Sequence, residues 1–166
     1  MDIQKLQANI ILGKYNRLMY EEKNDNTLIT NTYFVAIIHS NSVLINFNNL
    51  PSDYLMPRSA VKDWRKGGLF KSVDKMANCK DLQLLSVGKQ IVVDKIPGKR
   101  AHELKGNDFT ALVCSEYLKL LATKSCKLYG SGKYNPVIIR DTNDNLIGIV
   151  SPIIVHRMEN WQTQMK

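Results

Sequence analysis

The chain is poor in cysteine, has no long apolar run, and carries too few acids to balance its bases. Its three cysteines, Cys79, Cys114 and Cys126, form an odd set with no CxxC pair and no histidine at metal-ligand spacing. That argues against a disulfide framework and a structural zinc, and it implies a reducing, cytoplasmic setting. Nothing approaches the roughly 20 apolar residues that a membrane helix needs. The opening MDIQKLQANIILG has an acid at position 2 and a short apolar run from Ala8 to Leu12 interrupted by Asn9, which lacks the pattern of a signal peptide. Low-complexity segments are missing too, because Val, Ile, Tyr, Phe and Thr are spread along the whole chain, so order is expected nearly throughout.

What is present is enough apolar material for a core and a lopsided charge. With 166 residues and 44% hydrophobic content, the chain is expected to form one domain or two intimately packed halves. Of the net charge of +8, +7 lies between Arg58 and Lys105, where twelve basic residues face five acidic ones. Such an excess attracts polyanions at long range and neutralises phosphates on contact, or forms a solvated face that keeps the protein soluble.

Residues 15 to 47 read as a meander of three strands, YNRLMYEE, TLITNTYFVAIIH and SVLINF, with turns at Lys23–Asn26 and His39–Ser42. Ser59 and the Gly67–Gly68 pair bracket a short helix from about Ala60 to Lys66, and LFKSVDKMANC suggests another. DLQLLSVGKQIVVDKIPG reads as a hairpin turning at Val87–Lys89. FTALV at 109 to 113 alternates as a strand, and SEYLKLLATK at 115 to 124 places Leu118, Leu121 and Ala122 on one helical face. CKLYG, a turn at Gly130–Lys133, and a strand pair joined through Asn143–Asn145 follow. GKYNRLMYEEKNDN from Gly13 and GKYNPVIIRDTNDN from Gly132 share GKYN, NDN and an acid at Glu22 or Asp141. That echo fits either a duplication or recurrent turn chemistry.

The order of strand FTALV, helix SEYLKLLATK, and strands CKLYG, PVIIRD and NLIGIVSPI resembles the last repeat of bacterial beta sliding clamps and their relatives. Pro136–Ile139 and Ile149–Ile153 stand where that family ends its repeat, and LITNTYFVAIIH is loosely similar to an earlier clamp strand. The resemblance implies an α+β fold: a duplicated β-α-β-β-β clamp-like domain, mostly antiparallel sheet with two short helices on one side. Residues 1–50 would be a first repeat, 51–108 a basic crossover, 109–155 a second repeat and 156–166 a tail. The length suffices for one such domain, where clamp monomers hold two or three. The family also implies contact with DNA phosphates through helix-borne cations, here Lys119, Lys124 and Lys127, with Lys5 and Lys14 as counterparts in the first half.

The expected function is a non-enzymatic binding module for nucleic acid, a replication or repair protein, or both. The interface would include Arg58, Lys62, Trp64, Arg65, Lys66, Lys71, Lys75, Lys99 and Arg100 beside the three helix-region lysines. Trp64 between basic neighbours suits stacking on a base or packing on the core. The alternative is a phage or mobile-element inhibitor module whose basic segment docks on an acidic protein surface. An oligomer fits either reading, and neither requires a membrane, a metal or a cofactor. His39, His102 and His156 lie away from any GxSxG elbow, and His102 beside Glu103 is the best acid–base candidate. Gly130–Lys133 lacks the Walker spacing and precedes a strand, so it reads as a turn. Asp141 and Asp144 flank a hairpin tip with too few convergent oxygens for a cation.

Overall fold

A computed structural model of the chain describes residues 1–15, 17–51, 55, 68–94 and 96–154. The protein is α+β, and every pairing within its two sheets is antiparallel. The larger sheet contains two meanders. The first is β1 (Met19–Lys23), β2 (Asn26–Thr30) and β3 (Phe34–His39). Asn24 and Asp25 join β1 to β2 with φ of 48° and 59°. This left-handed pair gives a two-residue turn whose twist matches the strands, and Asn and Asp tolerate it better than other non-glycine residues. The second meander is β8 (Lys127–Gly130), β9 (Val137–Arg140) and β10 (Leu146–Val150).

The two meanders join through their last strands, with Ile149 opposite Val35 and Val150 opposite Phe34. β4 (Gln83–Leu84) extends the far edge beside β8, giving the order β1-β2-β3-β10-β9-β8-β4. Gly148 allows the join to close. A Cβ there would come within 2.9 Å of the Val35 carbonyl oxygen and 3.3 Å of Leu121 Cδ1.

Alternation along the central strands fills a core on each side, because successive side chains point to opposite faces. Phe34, Ala36, Ile38, Val137, Ile139 and Val150 face the larger core; Val35, Leu28, Ile138 and Ile149 face the smaller one. The larger core is covered by α1 (Ile3–Ile11), through Leu6 and Ile10, and by α3 (Ser115–Leu121), through Leu118, Leu120 and Leu121. The two helices are tied by a hydrogen bond from Asp2 N to Leu120 O, 2.9 Å. Asp2 also caps α1, its Oδ1 accepting from Lys5 N at 3.0 Å.

α2 (Leu69–Ala77) crosses the opposite face on Leu69, Val73 and Ala77. Its ends meet charges from the sheet. The Glu21 carboxylate of β1 accepts from Leu69 N, and Arg140 Nη2 of β9 donates to Ala77 O at 3.2 Å. An anion at the N-terminus and a cation at the C-terminus both oppose the helix dipole favourably.

A second sheet of three strands, β5 (Ser86–Val92), β6 (Arg100–Lys105) and β7 (Thr110–Cys114), leads directly into α3. Here the structure corrects the expected hairpin at Val87–Lys89. β5 continues through these residues, and its partner is β6, with Val93 N donating to Lys99 O at 2.9 Å where the chain returns. Gly88 sits instead at a bulge, where a Cβ would crowd Glu103 and Lys105.

The first meander also differs from expectation. TLITNTYFVAIIH is two strands, because Asn31 Oδ1 accepts from Tyr33 N and Phe34 N at 3.1 and 3.2 Å and folds the chain back. SVLINF forms no strand; it is a loop with short helical turns at Ser40–Ser42 and Phe47–Asn49. Buried Gln7 anchors that loop, donating to Ser42 O and accepting from Leu44 N. The helix expected over 115 to 124 ends at Leu121, so Lys124 lies beyond it and Lys127 is on β8. The helix expected at Ala60–Lys66 lies outside the described residues.

The echo of Gly13 and Gly132 aligns β1 with β9. The order of each meander instead pairs β1 with β8 as first strands. Turn chemistry is what the two segments share in the structure, with Asp25 and Asp144 both at positive φ. In the second hairpin Asp141 accepts from Asn143 N and Asn145 N, both at 2.9 Å, and Asp144 takes φ 66°. These contacts hold the Asp141 carboxyl below its ordinary range, its Asn145 bonds contributing most.

Candidate nucleic-acid interface

Among the expected interface residues, Arg58, Lys62, Trp64, Arg65 and Lys66 lie outside the described residues. The rest divide between regions. Lys71 and Lys75 are exposed on α2, on the far face of the large sheet. Lys127 is exposed on β8 and stands opposite Arg140 in the register, on the same side as α2. Lys124 is exposed in the turn after α3. Lys99, Arg100 and Lys119 belong to a third region, where the small sheet meets α3. Among the described residues the sole ion pair joins Arg140 to Asp144 at 3.9 Å.

The small sheet builds its polar cluster from three elements. β6 places Arg100, His102 and Leu104 on one face by alternation. Leu104 is buried at one end of this row, while Arg100 is exposed at the other. Register sets Gln90 of β5 directly across from His102. β7 then turns into α3, bringing Ser115 over the same spot.

Gln90 Nε2 donates to Ser115 Oγ at 3.2 Å, and Ser115 Oγ lies 2.8 Å from His102 Nδ1. Ser115 is only 3% exposed, and Nδ1 is the one acceptor within reach of its hydroxyl proton among the described residues. The serine is therefore assigned as donor to Nδ1, which leaves the proton of the neutral ring on Nε2. Lys119 lies one helical turn beyond Ser115, on the same side of α3. Burial, and then the Lys119 charge, lower the His102 pKa below the ordinary imidazole value.

The nearby carboxylates are directed elsewhere. Glu103 alternates to the other face of β6, against Gly88, and the Glu116 carboxylate lies over Gly98. At the same junction the Cys114 thiol points at Pro97 O, 3.5 Å away, and burial raises its pKa. Tyr117 packs with Tyr15, Tyr33 and Phe34, and its hydroxyl accepts a long 3.5 Å hydrogen bond from Asn31. Burial raises the Tyr15 and Tyr117 pKa values, so both remain protonated near neutrality.

The structure thus gives His102 a serine and an amide as neighbours, where the sequence suggested Glu103. Gln90 and Ser115 were missed because their meeting depends on the β5–β6 pairing, which the misplaced hairpin concealed. Their available signal was a polar residue within the apolar run QIVV and a serine at the strand-to-helix junction. His39 ends β3 and its Nδ1 accepts from Asn41 N at 3.4 Å, a strand-end role.

No group of three or more metal-binding side chains occurs among the described residues. No described helix is long and apolar enough to cross a membrane. In comparisons with known proteins, the chain matches no family model, no curated protein and no solved structure.

Proposed function

We propose that the chain is a non-enzymatic, clamp-like module that binds nucleic acid through phosphate contacts. The observation that carries this reading is the placement of α1 and α3 on one face of a continuous antiparallel sheet, each followed by a three-stranded meander. The net charge of +8 and the exposed Lys71, Lys75, Lys99, Arg100, Lys119, Lys124 and Lys127 support it, since none of these cations is held in an ion pair among the described residues and each is available to a phosphate. Contacts of this kind position a duplex without reading its sequence.

Binding of fluorescent duplex DNA over a salt series tests the proposal. Affinity should fall steeply with salt, and reversing Arg58, Lys62, Arg65 and Lys66 to Glu should weaken binding evenly across sequences. Each phosphate contact removed should reduce the log–log salt slope by about 0.9. Absence of binding at low salt would overturn the reading. Capture of a protein that persists after nuclease treatment, without DNA binding, would instead favour docking on an acidic protein surface.

A further inference from the structure

We infer that Arg100, His102 and Lys119 form a phosphate-binding point whose affinity rises as His102 gains a proton. This inference rests on the nucleic-acid reading and names one site within it. Arg100 and His102 are successive residues on one face of β6, and Lys119 is one turn from the serine that bonds the imidazole. The site is assembled from two elements, β6 and α3, and its two outer residues are basic.

The orientation of the ring is fixed from behind. Gln90 holds Ser115, and Ser115 holds Nδ1, so the Nε2–H is left as a donor with no partner among the described residues. His102 is only partly buried, so an oxyanion can approach it. An imidazole Nε2–H, an ammonium and a guanidinium together satisfy the oxygens of a phosphodiester or an inorganic phosphate, both of which accept charge-assisted hydrogen bonds.

Among the described residues no facing group cancels this charge. β5 presents the neutral Gln90, β7 presents Val113, and α3 presents Ser115 and Lys119. Glu103 is on the opposite face, Glu116 lies over Gly98, and the nearby Cys114 keeps its proton through burial. With the site empty, Lys119 and the desolvated ring oppose protonation of His102. A bound phosphate reverses that balance because it attracts the imidazolium, so proton uptake and phosphate binding favour each other. Protonation also places a hydrogen on Nδ1, and the Ser115 hydroxyl must then turn to accept it.

Two measurements test the inference on the full chain. The His102 ring resonances, assigned by their loss in His102→Gln, are titrated with pH with and without inorganic phosphate. Phosphate should raise the His102 pKa, corresponding to about tenfold tighter binding to the protonated ring, and Lys119→Ala should abolish the effect. In parallel, duplex DNA binding at fixed salt should strengthen as pH falls from neutral toward 5.5. In His102→Gln, whose amide still donates but does not titrate, binding near neutrality should persist while the His102-linked increase disappears.

A His102 pKa unmoved by phosphate, or the same pH dependence in His102→Gln, overturns the site even where DNA binds. Failure of DNA to bind at any pH overturns the nucleic-acid reading separately, and the phosphate titration still decides the site.

Discussion

Helices α2 and α3 cover opposite faces of one sheet, and both bury an apolar face, but among the described residues only α2 is also tied at each end by a charged side chain of the sheet. α3 buries Leu118, Leu120 and Leu121, each at 6% exposure or less, and its Tyr117 joins an aromatic cluster with Tyr15, Tyr33 and Phe34. Complete burial of a leucine contributes about 1.5–3 kcal/mol, so area alone can seat this short helix. α2 buries one face through Leu69, Val73 and Ala77, while Lys71, Asp74 and Lys75 remain in water. Its orientation depends on Glu21 at one end and Arg140 at the other. The contrast teaches that the α3 side is seated by area alone, whereas the α2 side adds polar contacts worth about 1 kcal/mol each to the burial of Leu69, Val73 and Ala77. The proposed phosphate point lies on the α3 side.

The largest test of this contrast is Leu121→Ala, because Leu121 is fully buried and packs against Gly148. It should lower unfolding free energy by about 3 kcal/mol in urea denaturation. A loss below about 1 kcal/mol would break the comparison, since area could not then be what seats α3. Next in size is Glu21→Gln, expected to cost about 1 kcal/mol by weakening the charged bond to Leu69 N. Arg140→Met should cost a similar amount at the other end of α2. If either change matched Leu121→Ala, polar contacts would hold α2 as strongly as buried area holds α3.

The smallest test concerns the β2–β3 turn beneath the aromatic cluster. Thr32 takes φ 74°, a strained angle for a β-branched residue. The turn is held by Thr30 Oγ1, which accepts from Thr32 N at 3.2 Å, and by Ser151 Oγ, which donates to Thr32 O at 3.1 Å. Thr32→Gly keeps both bonds and relieves the strain, and glycine's entropy in the unfolded chain offsets part of the gain. A rise of about 0.5–1 kcal/mol is expected from the same denaturation measurement. A loss of stability would mean that the Thr32 side chain itself helps to seat α3.

Legibility in the sequence followed how local each feature is. The C-terminal elements were read nearly in place, because their strands alternate, their helix has a 3.6-residue face, and Asn–Asp turns mark their joints. α1 was read only as an interrupted apolar run. A nine-residue helix is marginal in isolation and forms here because Leu6 and Ile10 have a sheet to bury against. Gly88 punctuated the sequence like a turn, yet it serves a bulge, since a glycine suits both and only the partner strand distinguishes them. Lys99, Arg100 and Lys119 were singled out by charge, but their relation to Gln90, Ser115 and His102 was not readable.

The sequence by itself determined the mixed strand and helix content, the excess of positive charge and the two Asn–Asp turns at Asn24–Asp25 and Asn143–Asn145. Each of these follows from composition or from neighbours a few residues apart. Tertiary structure decided that β3 meets β10, that β4 closes beside β8, and that α1 and α3 share a face while α2 takes the other. It also decided that the histidine best placed for chemistry faces a serine instead of its adjacent glutamate. A strand's pairing edge does not specify its partner, and alternation sends consecutive side chains to opposite faces. Only the packed molecule selects the partner.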